Sequence, residues 1–228
     1  MKLYCGTSGF SFKEWKGPFY PEKLPANQML SFYAEHLPTV EINNTFYRMP
    51  KRSMLEGWLE KVPDSFRFAI KAPRLITHSR QLADCSDPAG YLFETLTVLG
   101  PRLGVVLFQL PPHARVGIEK LDAFLSLIPD DVPAAFEFRH ASWRDEAVYA
   151  TLERHGAAWV HADNDGGEPP EFPKTATLTY LRLRAAEYSD DLLRSWKRRC
   201  GEFEQAFVFF KHEDGGAGPG YAKRMLGL

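Results

Sequence analysis

Eight short apolar runs alternate with amphipathic stretches along this chain, and that alternation constrains the fold more than any other feature. The runs fall at 2–6, 39–46, 66–72, 103–111, 134–140, 157–163, 178–184 and 206–212. Between them, 27–37, 51–62, 88–100, 117–128, 144–156 and 189–201 place apolar residues at helical spacing, and 221–228 adds a short terminal helix. The 189–201 stretch opens on a Ser cap and an acidic turn, and it ends in basic residues and Gly201. Residues 164–177, rich in Gly and Pro, read as a loop. Strict alternation implies parallel strands with right-handed crossovers. Eight units in 228 residues take about 28 residues each, which predicts one domain over 1–228, a (β/α)8 TIM barrel with an irregular or missing helix after strand 6. The rival, an open doubly wound sheet, carries a Gly-rich dinucleotide turn, and "GTSGF" after the first run does not match it.

The polar residues in these runs are not scattered. Successive side chains of a strand point to opposite faces. In "AAFEFRH" (134–140), Glu137 and Arg139 therefore share one face and the two Phe the other. The same parity gathers Glu41 with Asn43, Arg67 with Lys71, His161 with Asp163, and Tyr180 with Arg182 and Arg184; Gln109 and Lys211 stand opposite Phe108 and Phe210. These groups collect toward the C-terminal ends of the runs, where barrel enzymes build their sites. Three acids (Glu41, Glu137, Asp163) meet five bases (Lys71, Arg139, Arg182, Arg184, Lys211), so the expected mouth is net cationic. A self-neutralising ring of ion pairs is the structural alternative.

The chain as a whole carries a formal charge of −1, so no global basic field marks a nucleic-acid binder. No apolar run reaches the roughly 20 residues of a membrane span, and the N-terminus lacks a secretory apolar stretch. Cys5, Cys85 and Cys200 lack metal-type spacing and form no even-numbered disulfide framework, which fits a cytoplasmic protein.

Several segments, in order along nearly the whole chain, resemble one family. They are "GTSGF" with Trp15, "FYP" (19–21), "VEINNTFYRMP" (40–50), "FAIKAPRLITH" (68–78), "LGVVLFQLPP" (103–112), "EFRHASW" (137–143) and "AD" (162–163). Together they resemble the DUF72, or YecE-like, family. The resemblance implies a TIM barrel and no established activity. The likeness of such barrels to endonuclease IV and xylose-isomerase-like folds suggests nucleic-acid or sugar-phosphate chemistry by analogy only. Where many members have Arg-x-His-Gly and Phe-Asn-Asn after strands 7 and 8, this chain has "RLRAAEY" and "FFKHED"; Arg182 matches, and Arg184, Lys211 and His212 stand where the other groups would act.

The residues then suggest roles. Glu41 and Glu137 could work as acid and base, or could orient neighbouring cations. Lys71 could be a base or Schiff-base nucleophile if desolvated, and otherwise an anion-binding group. Asn43, His78, Gln109, Arg139, Trp143, Asp163, Arg182 and Lys211 are the candidate substrate-binding residues, with Phe10, Trp15, Phe46, Tyr47 and Tyr188 as further rim aromatics. His161, Asp163, Glu137, Glu41, His140 and His212 could ligate a metal, but the interleaved Lys and Arg would repel one, so neither a cofactor nor a metal is expected. The Gly-rich 213–226 stretch could receive a phosphate on its backbone or serve as a flexible lid. The expected function is an enzyme acting on an anionic small molecule, phosphorylated or derived from nucleic acid. The alternative is a noncatalytic module binding single-stranded nucleic acid or a protein. Oligomeric state is not legible.

Overall fold

The computed structural model describes residues 1–163, 172–212 and 215–228. Its strands are β1 (Lys2–Ser8), β2 (Thr39–Ile42), β3 (Arg67–Lys71), β4 (Leu103–Gln109), β5 (Ala134–Glu137), β6 (Ala158–Ala162), β7 (Leu178–Leu183) and β8 (Gln205–Phe210). All pair in parallel with their sequence neighbours, and β1 pairs with β8 from Lys2↔Gln205 to Thr7↔Phe210, closing a (β/α)8 barrel. Gly6 permits part of that closure: a Cβ there would run into the carbonyl oxygen of Thr39 on β2.

The helices are α1 (Met29–His36), α2 (Arg52–Leu59), α3 (Ser86–Leu96), α4 (Ile118–Leu125), α5 (Glu146–Arg154), α6 (Asp190–Cys200) and α7 (Ala217–Gly227). Their starts follow local chemistry. Asp145 caps α5 by accepting from the Ala147 amide, and Ser189 caps α6 by accepting from the Leu192 amide. Between β6 and β7 the described residues, 172–177, form no helix; the rest of the expected loop, 164–171, lies outside the described residues.

The Gly-rich stretch before the C-terminus departs from expectation. Residues 217–220 already belong to α7, where Pro219 is accepted in the first turn because that amide has no helical partner. Gly218 is buried and a Cβ on it would stand 3.1 Å from the His212 carbonyl oxygen and 3.2 Å from Thr7 Cγ2. This segment is packed against β1 and β8 instead of forming an open phosphate loop. Glu213 and Asp214 lie outside the described residues.

Two apolar layers hold the architecture. Outward strand residues meet the helices, as in the stacked Phe108 and Phe136, whose ring centroids are 5.0 Å apart beneath Phe124 of α4. Inward residues fill the barrel floor: Tyr4 stacks on Phe207 at 4.9 Å, with Ala69, Val105, Leu107, Ala135 and Val160 around them. Above this floor the inward parity turns polar.

Candidate functional site at the barrel mouth

The polar layer is built on Arg182, the last inward residue of β7. It is 3% exposed, and its guanidinium joins two carboxylates from distant strands: Nη2 donates to Glu41 Oε1 at 2.8 Å and Nη1 to Glu137 Oε2 at 2.7 Å. Tyr180, one inward step below on β7, donates to Glu41 Oε2 at 2.6 Å. Asn43 donates to Glu41 Oε1 at 3.0 Å, and Gln109 to Glu137 Oε2 at 2.7 Å. Arg184 reaches Glu137 Oε1 at 2.9 Å, and Arg139 approaches the same oxygen at 3.4 Å. Every carboxylate oxygen in the layer thus accepts from at least one donor.

Burial by itself would raise both carboxyl pKa values, but the Arg182 charge and the converging donors outweigh it. Glu41 is held below its ordinary value and Glu137 far below. Both are carboxylates at neutral pH, so neither fits the general-acid role that the sequence suggested, and their lone pairs are engaged against a base role. They fix the Arg182 plane.

Lys71 lies differently. It ends β3 on the inward parity, half-buried, with Nζ 4.5 Å from the Phe46 ring centroid. No carboxylate among the described residues is within ion-pair distance of it. Desolvation, reinforced by the Arg182 charge, lowers its pKa to about 8 despite Glu41 and Glu137 nearby.

A cavity of ≈ 390 Å³ opens over this layer. Its polar wall is Ser8, Asn43, Lys71, Gln109, Arg139, Arg182 and Lys211; Phe10, Phe12, Phe46, Tyr47 and Trp58 supply the aromatic one. Among the described residues, four cations and no carboxylate line it. Two buried donors on its wall, Ser8 Oγ and Arg182 Nε, have no hydrogen-bond partner among the described residues. A second depression, also ≈ 390 Å³, lies between β5 and β6 and shares Arg139; Arg144, Arg184, His140 and His161 line it.

Other candidates sit elsewhere. Trp143 is fully buried, stacked on Phe138 at 4.2 Å, and its indole donates to the Ala114 carbonyl at 2.7 Å; it staples two loops and offers no face to a ligand. Asp163 belongs to the outer layer, because β6 turns its odd-numbered residues toward the helices. It accepts from the Arg184 amide at 2.5 Å and from the Tyr188 hydroxyl, so it orders the segment after β7. Removing Asp163 from the mouth enlarges its positive excess. His161 shares that outer parity and stacks on Phe172, with its pKa pushed down to about 3 by desolvation, Arg199 and Arg144. His78 stands just outside the cavity wall on a single π-turn, Leu75–Ser79; it packs edge-on against Phe46 and shares a 3.0 Å hydrogen bond with Thr77. Trp15 and Tyr188 are buried loop staples. The six metal candidates are dispersed by these placements, and no group of three or more His, Cys, Asp or Glu able to hold a metal occurs among the described residues. No helix among those residues is long and apolar enough to cross a membrane.

A family model described as a protein of unknown function, DUF72, matches residues 4–228. The chain belongs to this family. It is 27% identical to the UPF0759 protein YunF of Bacillus subtilis over 269 aligned positions, covering 99% of this chain and 94% of that one. It is 36% identical to the UPF0759 protein YecE of Escherichia coli O157:H7 over 170 positions, covering 71% of this chain and 59% of YecE. A DUF72 protein of Thermotoga maritima superposes with a TM-score of 0.85 at 28% identity over the full length of both chains. One from Enterococcus faecalis, 21% identical and covering 99% and 94%, shares the fold with a TM-score of 0.81.

Within this DUF72 barrel, the departures after β7 and β8 have distinct outcomes. Arg184 joins the Glu137 cluster, and Lys211 reaches the cavity rim. His212 does not take part: its Nε2 bonds the Ala185 carbonyl at 2.6 Å, and its ring packs against Tyr188 and Tyr221. Sequence reasoning missed Ser8, Phe12 and Trp58. The inward parity of β1 could have identified Ser8, whereas Phe12 and Trp58 come from a loop and a helix whose approach only the fold decides.

Proposed function

We propose that the mouth of this DUF72 barrel binds and transforms an anionic small molecule, phosphorylated or carboxylated, with a flat or apolar portion against the aromatic wall. The observation that carries this reading is the cavity wall, on which the described residues place four cations and no acid. Arg139 and Lys211, both exposed at the rim, supply solvent-facing positive charge, while Arg182 is fixed by its two carboxylates. The concave shape favours a small molecule over an extended nucleic-acid strand.

Thermal denaturation with inorganic phosphate, phosphorylated metabolites and short oligonucleotides tests the reading. A ligand present at 100 times its Kd should stabilise by about 2.7 kcal/mol, a rise of several degrees in Tm. Lys211→Met and Arg139→Met should each weaken that rise without lowering the ligand-free Tm. Absence of any shift across the anion set, or steeply salt-dependent binding of oligonucleotides alone, would replace it with the binding-module reading.

A further inference from the structure

Of the cations at the mouth, Lys71 is set apart by its surroundings. Arg182 already holds Glu41 and Glu137, so the charged partners that would normally neutralise a lysine at this depth are turned away from it. Its backbone is fixed twice, by the β3–β4 register at Lys71↔Leu107 and by Thr45 Oγ1 donating to its carbonyl at 2.8 Å. Its side chain projects into the cavity beside Phe46. Ligand access, a rigid mount and the lack of an ion-pair partner among the described residues coincide at one amine.

We propose that Lys71 is an imine-forming nucleophile and that the ligand of this mouth is an anionic carbonyl compound, an α-keto acid or a phosphorylated aldehyde or ketone. The proposal rests on the reading of the mouth as an anion site and names the chemistry done there. The neutral Nζ attacks the carbonyl carbon and a C–N bond forms. The carbonyl oxygen then leaves as water with the two amine protons, giving the C=N bond. Arg139 and Lys211 hold the carboxylate or phosphate. The step needs a neutral amine. With a pKa of about 8, roughly a tenth of Lys71 is neutral at pH 7, against under a thousandth for an ordinary lysine. The Phe46 ring favours the ammonium through a cation–π contact, and desolvation with the Arg182 charge outweighs it.

The test is reductive trapping on the full-length protein. Glyoxylate in one arm and glyceraldehyde 3-phosphate in the other are incubated with the protein and sodium cyanoborohydride, and adducts are mapped by peptide mass spectrometry. Lys71 should label at least tenfold faster than the exposed Lys13 and Lys51, with a rate rising through a midpoint near pH 8 and suppressed by inorganic phosphate. Faster labelling in one arm tells which anion the mouth prefers. Lys71→Arg, which keeps the charge and cannot form the imine, should lose the adduct and keep phosphate stabilisation. Labelling spread evenly over the lysines while phosphate still stabilises the protein overturns the imine and leaves the anion site standing. Loss of both signals in the wild type removes both. Should Lys71→Arg fail to fold, the wild-type adduct map decides alone.

Discussion

Glu41 and Arg182 are 141 positions apart in the chain and 2.8 Å apart at the barrel mouth. Arg182 holds Glu137 in the same plane at 2.7 Å, so a single guanidinium ties β2, β5 and β7 together under the cavity. The arrangement engages both carboxylates with one guanidinium, and the nucleophile proposed above is Lys71.

Removing that guanidinium should be costly. Arg182→Met leaves Glu41 buried without its cation and Glu137 with Arg184 and Arg139 alone, a loss of about 3–5 kcal/mol. Urea denaturation at pH 7 measures it. Combining Arg182→Met with Glu41→Gln and Glu137→Gln should recover a substantial part of the loss, because the uncompensated charges disappear with the residues that carried them. A triple variant no more stable than the single one would contradict the ion-pair account.

Acid should act on the same cluster. Glu41 and Glu137 have folded pKa values below their unfolded ones, so their contribution is complete above the unfolded value of about 4.3 and is lost as pH falls through the depressed folded values. Unfolding free energy followed from pH 7 to pH 3 should therefore drop from about pH 5 downward. The drop should be shallower in Glu137→Gln. Equal slopes in the two proteins would place the acid sensitivity elsewhere.

Lys71 predicts the opposite dependence. Its folded pKa of about 8 lies below the unfolded value of about 10.4, so between these limits the unfolded chain binds the extra proton and stability rises with pH. Lys71→Met should abolish that rise and be more stable than the wild type at pH 7. Denaturation curves at pH 7 and pH 10 make the comparison.

Trp143 should matter to stability alone. Trp143→Ala empties a fully buried site and should cost about 3–5 kcal/mol, whereas Trp143→Phe keeps the stack on Phe138 and loses mainly the bond to the Ala114 carbonyl, about 1 kcal/mol. The phosphate-induced Tm shift of the Phe variant should equal that of the wild type. A diminished shift would return Trp143 to the binding wall.

The sequence by itself determined the barrel, the strand order and the polar crown. Parallel strands with crossover helices leave few topologies, and a period of two assigns each strand residue to one of two faces without any tertiary knowledge. Glu41, Lys71, Gln109, Glu137, Arg139, Arg182 and Lys211 were legible as one group for that reason. Parity does not say which of the two faces is the interior. Strand 6 shows the limit: His161 and Asp163 share a face, as their spacing requires, but the barrel turns Ala158 and Val160 inward and leaves the polar pair against the helix layer. Nor does the alternation say where a loop aromatic comes to rest, and Trp143 left the rim because the Phe138 face and the Ala114 carbonyl take up both ends of its ring. Pairing was likewise invisible in the chain. Whether a carboxylate acts on a ligand or secures a guanidinium depends on contacts of a few ångströms between residues 45 and 141 positions apart, and only barrel closure brings them that close.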